Sequence, residues 1–366
     1  MKITTERDNL LKPLQQVGGV VERRQTLPIL ANVLINAKDG QLNITATDLE
    51  VEMKTTASVN CEGELDFTLP ARKLIDICRA LPDEAEIQLA IENERAVLRS
   101  GKSRFTLGIL PAQDYPAIEP SVSSQRFSIT QKLLKRLIEK TQFAMAQQDV
   151  RYYLNGMLME ISSGMIRAVA TDGHRLALSE AVCEIESGVD IQVILPRKAV
   201  LELGRLLEDS DENVEIDISS NHIRLKMGDT SFTSKLIDGK FPDYQRVIPA
   251  NTDKQVTTQR DTLKQALQRT SILSNEKYRG IRFQFSTGIL ELLAHNPEQE
   301  EAEEQLEINY EGEELVIGFN VGYLIEVLSV IDTDEVKLLL SDANSSCLIQ
   351  NADTDESRYV VMPMRL

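Results

Sequence analysis

The stretch LPARKLIDICRALPDEAEIQLAI begins at Leu69, and it returns as LPRKAVLELGRLLEDSDENVEIDI from Leu195. A weaker third copy, FNVGYLIEVLSVIDTDEVKLLL, begins at Phe319. Each copy reads as a strand end, a helix and a second group of strands. A pattern that returns at a fixed spacing indicates an architecture built by duplication. The sequence therefore predicts three similar domains rather than a single catalytic cleft.

The first half of each repeat also recurs, as KITTERDNLLKPLQQV from Lys2, FSITQKLLKRLIEKTQ from Phe127 and VTTQRDTLKQALQRTS from Val256. Each half reads as a strand, a helix and two or three further strands, with turns such as Asp39-Gly40 and Ser163-Gly164. This predicts an α+β fold with helices packed on one face of antiparallel sheets. We expect helices at residues 6–16, 71–81, 131–147, 197–207, 260–273 and 319–331. We expect domains at residues 1–122, 126–248 and 249–366, with boundaries near PSVSSQ (from Pro120) and PANTDK (from Pro249).

Composition limits the classes of protein to consider. The 366 residues are 42% hydrophobic and include no Trp, so the cores should rest on Leu, Ile and Val. The four cysteines, Cys61, Cys78, Cys183 and Cys347, are far apart and form no CxxC pair. This favours reduced thiols in a cytoplasmic protein over a disulfide framework or a structural metal site. We expect no secretory signal and no membrane span.

Charge is unevenly distributed. A net charge of −17 argues against nucleic-acid binding at first sight. The six expected helices nevertheless hold fifteen Lys and Arg against seven Asp and Glu. Basic residues often only decorate solvated helix faces. If all the helices face one way, however, they form a weakly basic lining that attracts phosphates without reading bases.

Few residues suggest catalysis. TDGHRL, from Thr171, brings Asp172 and His174 close together, which leaves a cytosolic hydrolase as an alternative, although Asp-Gly is first of all a turn. The acidic run from Asn296 to Glu304 lacks the ligand spacing of a calcium loop, so a solvated or ion-paired loop is the simpler interpretation. GxxxxGK[ST] and GxGxxG do not occur, so no nucleotide or other cofactor is expected.

Longer motifs carry a family resemblance. They are TLPILANVL, TDLEVEM, LPARK, QQDVRYYLNGML, ATDGHRLAL, TSKLIDGKFPDY, ILSNEKYRGIR, HNPEQEEAEE and the terminal YVVMPMRL. Along its whole length the chain resembles the β subunit of bacterial DNA polymerase III, the sliding-clamp family. The resemblance implies three domains of the DNA-clamp fold and a head-to-tail homodimer. The dimer would be a six-domain ring that encircles double-stranded DNA without sequence specificity.

A clamp of this family is not an enzyme. The resemblance implies a processivity factor that tethers the DNA polymerase III catalytic subunit and is loaded by a clamp loader complex. Other DNA polymerases and repair proteins would bind through short clamp-binding peptides. No cofactor, metal or membrane is implied.

The resemblance also implies three sets of site residues. Those that touch DNA would be Arg24, Arg72, Gln148, Tyr152 and Tyr153. The partner-peptide cleft would take Leu154, Thr171, His174, Arg175, Leu176, Pro242, Arg246, Val247, Tyr278, Asn320, Tyr323, Ser346, Val360, Met362, Pro363, Met364 and Arg365. The dimer interface would take Lys73, Arg95, Lys102, Arg104, Phe105, Leu107, Ile272, Leu273, Glu298, Glu300, Glu301, Glu303 and Glu304.

Two of these assignments have structural alternatives. The Tyr152–Tyr153 pair could pack on a sheet with exposed hydroxyls, and YVVMPMRL could be an edge strand that fills the third core. Asn344 lies among cleft positions where an apolar residue is expected, so the depth of that subsite stays open.

Overall fold

The computed structural model describes residues 2–22, 27–118, 125–162, 164–183 and 190–365. Within these ranges the chain forms six α-helices, each preceded by one strand and followed by three or more. The helices are α1 (Arg7–Val17), α2 (Ala71–Ala80), α3 (Gln131–Thr141), α4 (Arg197–Leu206), α5 (Arg260–Thr270) and α6 (Val321–Val330). The predicted α+β class and the doubled pattern within each repeat are confirmed.

Strands alternate with these helices in chain order. The first repeat holds β1 (Lys2–Glu6), β2 (Asn32–Lys38), β3 (Gln41–Thr47), β4 (Val51–Ser58), β5 (Asn60–Glu62), β6 (Leu65–Pro70), β7 (Glu86–Glu92), β8 (Arg95–Ser100) and β9 (Ser103–Gly108). The second holds β10 (Gln125–Thr130), β11 (Gly156–Ser162), β12 (Met165–Thr171), β13 (Arg175–Val182), β14 (Asp190–Pro196), β15 (Asn213–Ile218), β16 (His222–Met227) and β17 (Thr230–Lys235). The third holds β18 (Lys254–Gln259), β19 (Gly280–Ser286), β20 (Ile289–His295), β21 (Glu301–Glu307), β22 (Leu315–Asn320), β23 (Glu335–Leu340), β24 (Cys347–Asn351) and β25 (Ser357–Val361).

Two helices end earlier than the sequence suggests. We expected α3 to reach residue 147 and α5 to reach residue 273, but they end at Thr141 and Thr270. Each terminal threonine hydroxyl donates to the carbonyl four residues back, at 2.7 Å for Thr141 and 2.8 Å for Thr270. A 3₁₀ turn follows in both cases, Gln142–Ala144 and Ser271–Leu273. Because threonine is β-branched and its hydroxyl competes for helix carbonyls, these positions favour a tightened end.

The strand that opens each half-repeat pairs with the other half. β1 pairs with β7, β10 with β15 and β18 with β23, while β6 pairs with β2, β14 with β11 and β22 with β19. All of these pairings are antiparallel. The two halves of each repeat are therefore interlocked by backbone hydrogen bonds as well as by core packing.

The chain divides into two compact units that differ from the three sequence repeats. The first comprises Met1–Lys132 and Leu201–Leu236, and the second comprises Leu133–Val200 and Ile237–Leu366. The first contains a five-stranded sheet, β5-β1-β7-β8-β9, and an eight-stranded sheet, β10-β15-β16-β17-β4-β3-β2-β6. The second contains an eight-stranded sheet, β14-β11-β12-β13-β25-β24-β23-β18, and a four-stranded sheet, β21-β20-β19-β22.

Each eight-stranded sheet joins strands of two repeats. In the first unit β17 pairs with β4, and in the second β13 pairs with β25. The compact units follow these shared sheets, so they cut through the second repeat. The domain limits predicted from sequence stay a prediction, and residues 119–124 at the first limit lie outside the described residues.

Two other helices supply the cations that bond the carbonyls at the C-terminal end of α6. Helix α6 contains no Lys or Arg of its own. The Lys140 ammonium on α3 donates to the Val330 carbonyl and lies 2.5 Å from Asp332. The Arg260 guanidinium on α5 donates to the Ile331 carbonyl at 2.7 Å. Cations at this end of a helix bond its free carbonyls and oppose its dipole.

We expect Lys140→Met to lower the free energy of unfolding by about 2 kcal/mol, because it leaves a helix-end carbonyl without its charged donor. The Lys140 side chain is only 8% exposed. Lys132→Met is the matched control on the same helix, since that side chain is 63% exposed and lies 3.9 Å from Asp209; it should cost less than about 0.5 kcal/mol. Urea denaturation of both variants measures the difference, and equal losses would contradict this account of α6.

Candidate functional site

The shared sheet of the second unit carries an apolar cluster that includes several predicted cleft residues, and we call this cluster the trough floor. The strands of this sheet supply buried side chains that pack with two aromatic residues of the irregular segment after β17. The cluster comprises Leu158, Val169, Leu176, Leu178, Ile194, Phe241, Tyr244, Leu348 and Val360, with Tyr153, Ile237, Val247, Ile248 and Leu339 partly buried against it. Leu176 lies directly opposite Val360 in the β13–β25 pairing. Three residues predicted for the cleft, Leu176, Val247 and Val360, are thereby brought together.

One wall of the trough is the segment after β17, which carries the predicted cleft residues Pro242, Arg246 and Val247. It is held by a few anchors: the Ile237 amide donates to the Ile194 carbonyl at 2.9 Å, and the side chains of Phe241 and Tyr244 are buried. Pro242 and Arg246 are exposed. The position of this wall therefore depends largely on its two aromatic side chains.

Tyr244 is the anchor with a polar partner. Its hydroxyl donates to Glu160 Oε2 at 2.8 Å, and Arg167 lies 3.4 Å from the other Glu160 oxygen. Arg167 and Arg358 both bond Glu180. Burial, followed by the hydrogen bond to Glu160, raises the pKa of Tyr244, so its hydroxyl remains a donor at neutral pH.

Sequence reasoning missed this network, although a signal was present. In the strand register Glu160 lies opposite Arg167, and Arg167 lies opposite Glu180. Opposite charges at directly paired positions on three neighbouring strands indicate an ion-pair ladder. The signal becomes visible only when the strand register is known.

The turn between β12 and β13 is built by Asp172. Its Oδ1 accepts the amides of His174 and Arg175 at 2.9 and 3.0 Å, and its Oδ2 accepts Arg175 Nε at 3.1 Å. Gly173 has a φ of +89°, which glycine adopts without strain. In the described part of the chain no hydrogen bond joins the His174 ring to Asp172. The carboxylate is therefore committed to the turn rather than to orienting a catalytic imidazole.

Arg175 connects this turn to α6. Its guanidinium lies 4.4 Å from the ring centroid of Tyr323 and 5.3 Å from that of Phe143. It also donates to the Phe143 carbonyl at 2.8 Å and pairs with Glu326. Stacking between two rings holds the guanidinium in place. The predicted cleft residues Arg175 and Tyr323 are thus in contact.

The C-terminal segment runs along the trough after β25. The Met362 amide donates to the His174 carbonyl at 3.0 Å, and the Met364 amide donates to the Gly318 carbonyl at 2.7 Å. The Met362 side chain is 36% exposed. Because β25 lies between β13 and β24, the edge-strand interpretation of YVVMPMRL is wrong: residues 359–361 are core, and those after them leave the sheet.

The remaining predicted cleft residues fall into three settings. Leu154 and Thr171 are buried beneath the surface, whereas His174, Tyr278 and Arg365 are exposed. Asn320 caps α6 through Oδ1, which accepts the Gly322 amide at 2.9 Å, and its Nδ2 donates to the Tyr278 carbonyl at 3.3 Å. Those that are half-buried are Pro363, Met364 and Ser346. Asn344 is exposed in a turn, where its amide bonds Asp342.

The two tyrosines predicted to touch DNA differ in exposure. Tyr152 is 58% exposed, whereas Tyr153 packs against the trough floor, with the two rings edge to face at 5.9 Å. Tyr153 therefore packs as the structural alternative expects, and Tyr152 does not. Gln148, just before them, is exposed with a φ of +58°. Arg72 is exposed on α2, and Arg24 lies outside the described residues.

Six of the predicted dimer residues lie on two sheet edges, and the other seven lie on α2, β8, a 3₁₀ turn and loops. β9 ends the five-stranded sheet and carries Arg104, Phe105 and Leu107, whereas β21 ends the four-stranded sheet and is acidic. Ile272 is 76% exposed and Leu273 is half-buried. The exposed charged residues of this set are Lys73, Arg95, Lys102, Arg104, Glu298, Glu300, Glu301 and Glu303.

Two charged residues of this set already have ion-pair partners in the chain. Glu304 is bonded at both carboxylate oxygens by Arg269 Nε, each at 3.0 Å. Arg104 lies 3.5 Å from Glu92. Pairing of Glu304 or Arg104 with a second copy would therefore compete with these contacts within the chain.

The acidic run is a structured turn. Asn296 Oδ1 accepts the Glu300 amide at 2.9 Å, and its Nδ2 donates to the Glu300 carboxylate at 2.6 Å. Among the described residues, His, Cys, Asp and Glu nowhere gather in a group of three or more that could hold a metal ion. The described helices include none long and apolar enough to cross a membrane.

Three sequence repeats, sheets shared between them and an apolar cluster among the predicted cleft residues together indicate a binding protein of the clamp type. Family models of the DNA polymerase III beta subunit match residues 1–119 (N-terminal domain), 128–243 (central domain) and 245–365 (C-terminal domain). The chain belongs to this family, the bacterial β sliding clamps.

Individual relatives agree along the full length. The chain is 55% identical to the beta sliding clamp of Pseudomonas aeruginosa and 51% identical to that of Escherichia coli K12, with 100% of both chains covered in each case. A crystal structure of the Pseudomonas aeruginosa clamp bound to griselimycin matches at a TM-score of 0.97 with 54% identity, again over all of both chains. The Caulobacter crescentus pol III beta structure matches at 0.93 with 38% identity over all of both chains.

The protein is accordingly a processivity factor of DNA replication, and it is not an enzyme. It acts as a dimer that encircles DNA and binds the polymerase and other clamp-binding proteins. The hydrolase alternative at Asp172 and His174 has no support and is set aside.

The loop before Tyr152 carries a perturbed carboxyl group. Arg151 donates to Asp149 through its side chain at 2.8 and 3.0 Å and through its amide at 2.7 Å. These bonds lower the pKa of Asp149 to about 2. Because the folded-state pKa lies below the unfolded one, the stabilisation is complete above about pH 4 and is lost as the pH falls towards 2.

We expect Arg151→Gln to return the pKa of Asp149 towards the ordinary aspartate value of about 3.9, as followed by NMR titration of ¹³C-labelled aspartate. Arg246→Gln is the control, since it removes an exposed arginine paired with Asp243 at 2.8 Å and should leave Asp149 unchanged. An Asp149 that titrates near 3.9 in the unaltered protein would show that the loop is not held in this way.

Proposed function

We propose that two copies of this chain join head to tail into a ring around duplex DNA, and that partner proteins insert a short peptide into the trough of the second unit. The observation that carries the peptide site is the apolar floor at the β13–β25 join, bordered by exposed polar and Met side chains. A concave apolar surface with a few fixed polar groups is typical of a peptide groove.

For DNA we propose contacts by Arg24, Arg72, Gln148, Tyr152 and Tyr153. Support comes from the exposure of Arg72, Gln148 and Tyr152; Tyr153 would contribute mainly by supporting Tyr152. Four helical cations are engaged elsewhere: Arg7, Lys140, Arg197 and Arg260 each donate to a backbone carbonyl. The basic lining is therefore weaker than the residue count suggests, as suits sequence-independent phosphate contacts that must allow sliding.

For partner peptides we propose the cleft residues given above, with a distinction of roles. Leu176, Val247 and Val360 would form the apolar floor. Met362 and Met364, which are flexible and partly exposed, would adapt to different peptides. The Pseudomonas aeruginosa clamp bound to griselimycin and the Caulobacter crescentus clamp with polyethylene glycol at its proposed β-motif tethering region support ligand binding in this family.

For the dimer we propose that the β9 edge of one copy meets the β21 edge of the other. Two unlike ends of a repeat-built chain make a heterologous contact, which closes into a ring when the rotation fits. Phe105 and Leu107 would pack against Ile272 and Leu273. The basic residues beside β9 would face the glutamates of β21, setting register and association rate more than affinity. We also place the protein in the cytoplasm, where its four reduced cysteines are stable.

The ring is tested by its retention on DNA of two shapes. We expect the dimer, loaded with clamp loader and ATP on nicked circular duplex, to remain bound at high salt and to be lost after a single cut linearises the circle. The physical reason is that salt screens phosphate contacts but cannot undo a topological link. Gel filtration of loaded DNA measures retention. Equal loss from circles and linear DNA would leave only electrostatic binding and would overturn the ring.

Ile272→Ala with Leu273→Ala is expected to give monomers by sedimentation and to abolish retention on circles, since the apolar centre should carry most of the affinity. Ile289→Ala is the matched control, an exposed isoleucine outside the proposed seam, and should leave the dimer intact. A double variant that stays dimeric would refute this seam.

The Tyr244 anchor generates a further prediction. Tyr244→Phe keeps the ring but removes the bond to Glu160, so we expect the dissociation constant of a clamp-binding peptide to rise about fivefold to tenfold, or about 1–1.4 kcal/mol. Tyr310→Phe is the control, because it removes a 2.6 Å bond to the Glu313 carbonyl away from the trough. Glu160→Gln keeps an acceptor and should bind nearly normally. Fluorescence anisotropy measures all three, and equal effects of the two tyrosine variants would exclude an anchoring role.

A further inference from the structure

A cavity of about 420 Å³ opens beside the C-terminal segment, and we call it the flank pocket. Its walls include Tyr278, His295, Pro297, Met364 and Arg365. Tyr278, Met364 and Arg365 also belong to the proposed peptide cleft. The flank pocket therefore continues the cleft rather than forming an isolated surface hollow.

The Tyr278 wall of the flank pocket is built by backbone hydrogen bonds. Asn275 Oδ1 accepts the amides of Lys277 and Tyr278, both at 3.0 Å, and the Asn275 carbonyl accepts the Arg279 amide at 2.7 Å. Asn320 donates to the Tyr278 carbonyl. Tyr278 is nevertheless 57% exposed, so a fixed backbone presents a large accessible ring.

Backbone hydrogen bonds also hold the lining at Met364 and at Asn296. The Met364 amide is bonded to the Gly318 carbonyl, and the Gln299 amide donates to the Asn296 carbonyl at 3.2 Å. A preformed pocket binds at lower entropic cost than one that must be ordered by its ligand.

The flank pocket is basic on a strongly acidic chain. Its lining includes Arg365 and His295 and contains no Asp or Glu, whereas the whole chain carries −17. Lys277 adds a further cation, 5.2 Å from the centre of the Tyr278 ring. Within the described residues Arg365 has no ion-pair partner, and the nearby Glu300 carboxylate is bonded by Asn296. The unpaired cation among the described residues of the lining itself is therefore Arg365, because His295 lies directly opposite Glu301 in the β20–β21 pairing.

We infer that the flank pocket receives an acidic side chain just outside the cleft-binding segment of a partner peptide, and that its carboxylate pairs with Arg365. The inference rests on the proposed function of the cleft and adds a specificity determinant to it. A guanidinium matches a carboxylate with two parallel hydrogen bonds. The apolar surfaces of Tyr278, Pro297 and Met364 would exclude water around the pair, which strengthens it relative to an exposed surface pair.

The test compares flanking residues on one peptide. The probe is a fluorescent peptide copied from the clamp-binding segment of the polymerase III catalytic subunit of the same organism. It is prepared unflanked and with Glu, Gln or Lys added at either end. Anisotropy with the intact dimer at low salt yields the ratio of the Gln-flanked to the Glu-flanked dissociation constant. We expect a ratio of about five at one end of the peptide, weaker binding with Lys, and a decline of the ratio as salt increases.

Two variants assign the effect to a residue. Arg365→Gln should bring the ratio to about one, whatever it does to the affinity of the unflanked peptide. Arg246→Gln removes another exposed arginine of the proposed cleft, which is paired with Asp243, and should keep the ratio near five. A ratio that falls equally in both variants would indicate a general charge effect and would overturn the inference.

The remaining outcomes distinguish failure of this inference from failure of the proposed peptide cleft. If the unflanked peptide binds but the ratio is one at both ends, the flank pocket does not read acidic residues and the cleft stands. If Arg365→Gln keeps the full ratio, Arg365 is not the partner and the inference is wrong. If the unflanked peptide does not bind at all, the cleft itself is wrong and the inference falls with it.

Discussion

Antiparallel pairing between strands of different repeats is the constraint on which the rest of the structure depends. In the second unit β13 of the second repeat pairs with β25 of the third. This ladder of backbone bonds brings Leu176 opposite Val360 and places the Met362 amide on the His174 carbonyl. Without it neither the trough floor nor the path of the C-terminal segment would exist. The proposed peptide site would therefore be a product of the join between repeats and not of any one repeat.

Repetition made the element order predictable from sequence, because helix and strand periodicities are local and recur six times. Which strands of different repeats pair with each other was not predictable in the same way. Pairing between β13 and β25 depends on residues about 180 positions apart, and local propensity carries no information on such a register. The two early helix ends had a local cause, since Thr141 and Thr270 each bond back to their own helix.

The candidate site shows the same division. Motif resemblance identified Arg175 and Tyr323, but their stacking with Phe143 needed three-dimensional placement. Adjacent Tyr152 and Tyr153 are indistinguishable in sequence, yet one is exposed and the other packs on the floor. Helical cations also looked alike, although some, such as Lys140 and Arg260, complete the end of α6. Residue type thus suggested which residues belong to the proposed site, and burial distinguishes the exposed ones from the packed ones.

A clamp that binds many partners needs a peptide site with a fixed floor and an adaptable rim. Here the floor is a paired sheet with Leu176 and Val360 almost fully buried, so its shape is set by backbone bonds that no peptide has to form. The rim consists of Met362 and of an irregular wall fixed through Tyr244 and Glu160. Since a rigid floor spends little entropy on binding, affinity common to all partners would reside there in the proposed peptide site. Discrimination among partners must then come from rim groups, where single charges such as Arg365 remain unpaired within the described chain and can favour one peptide over another.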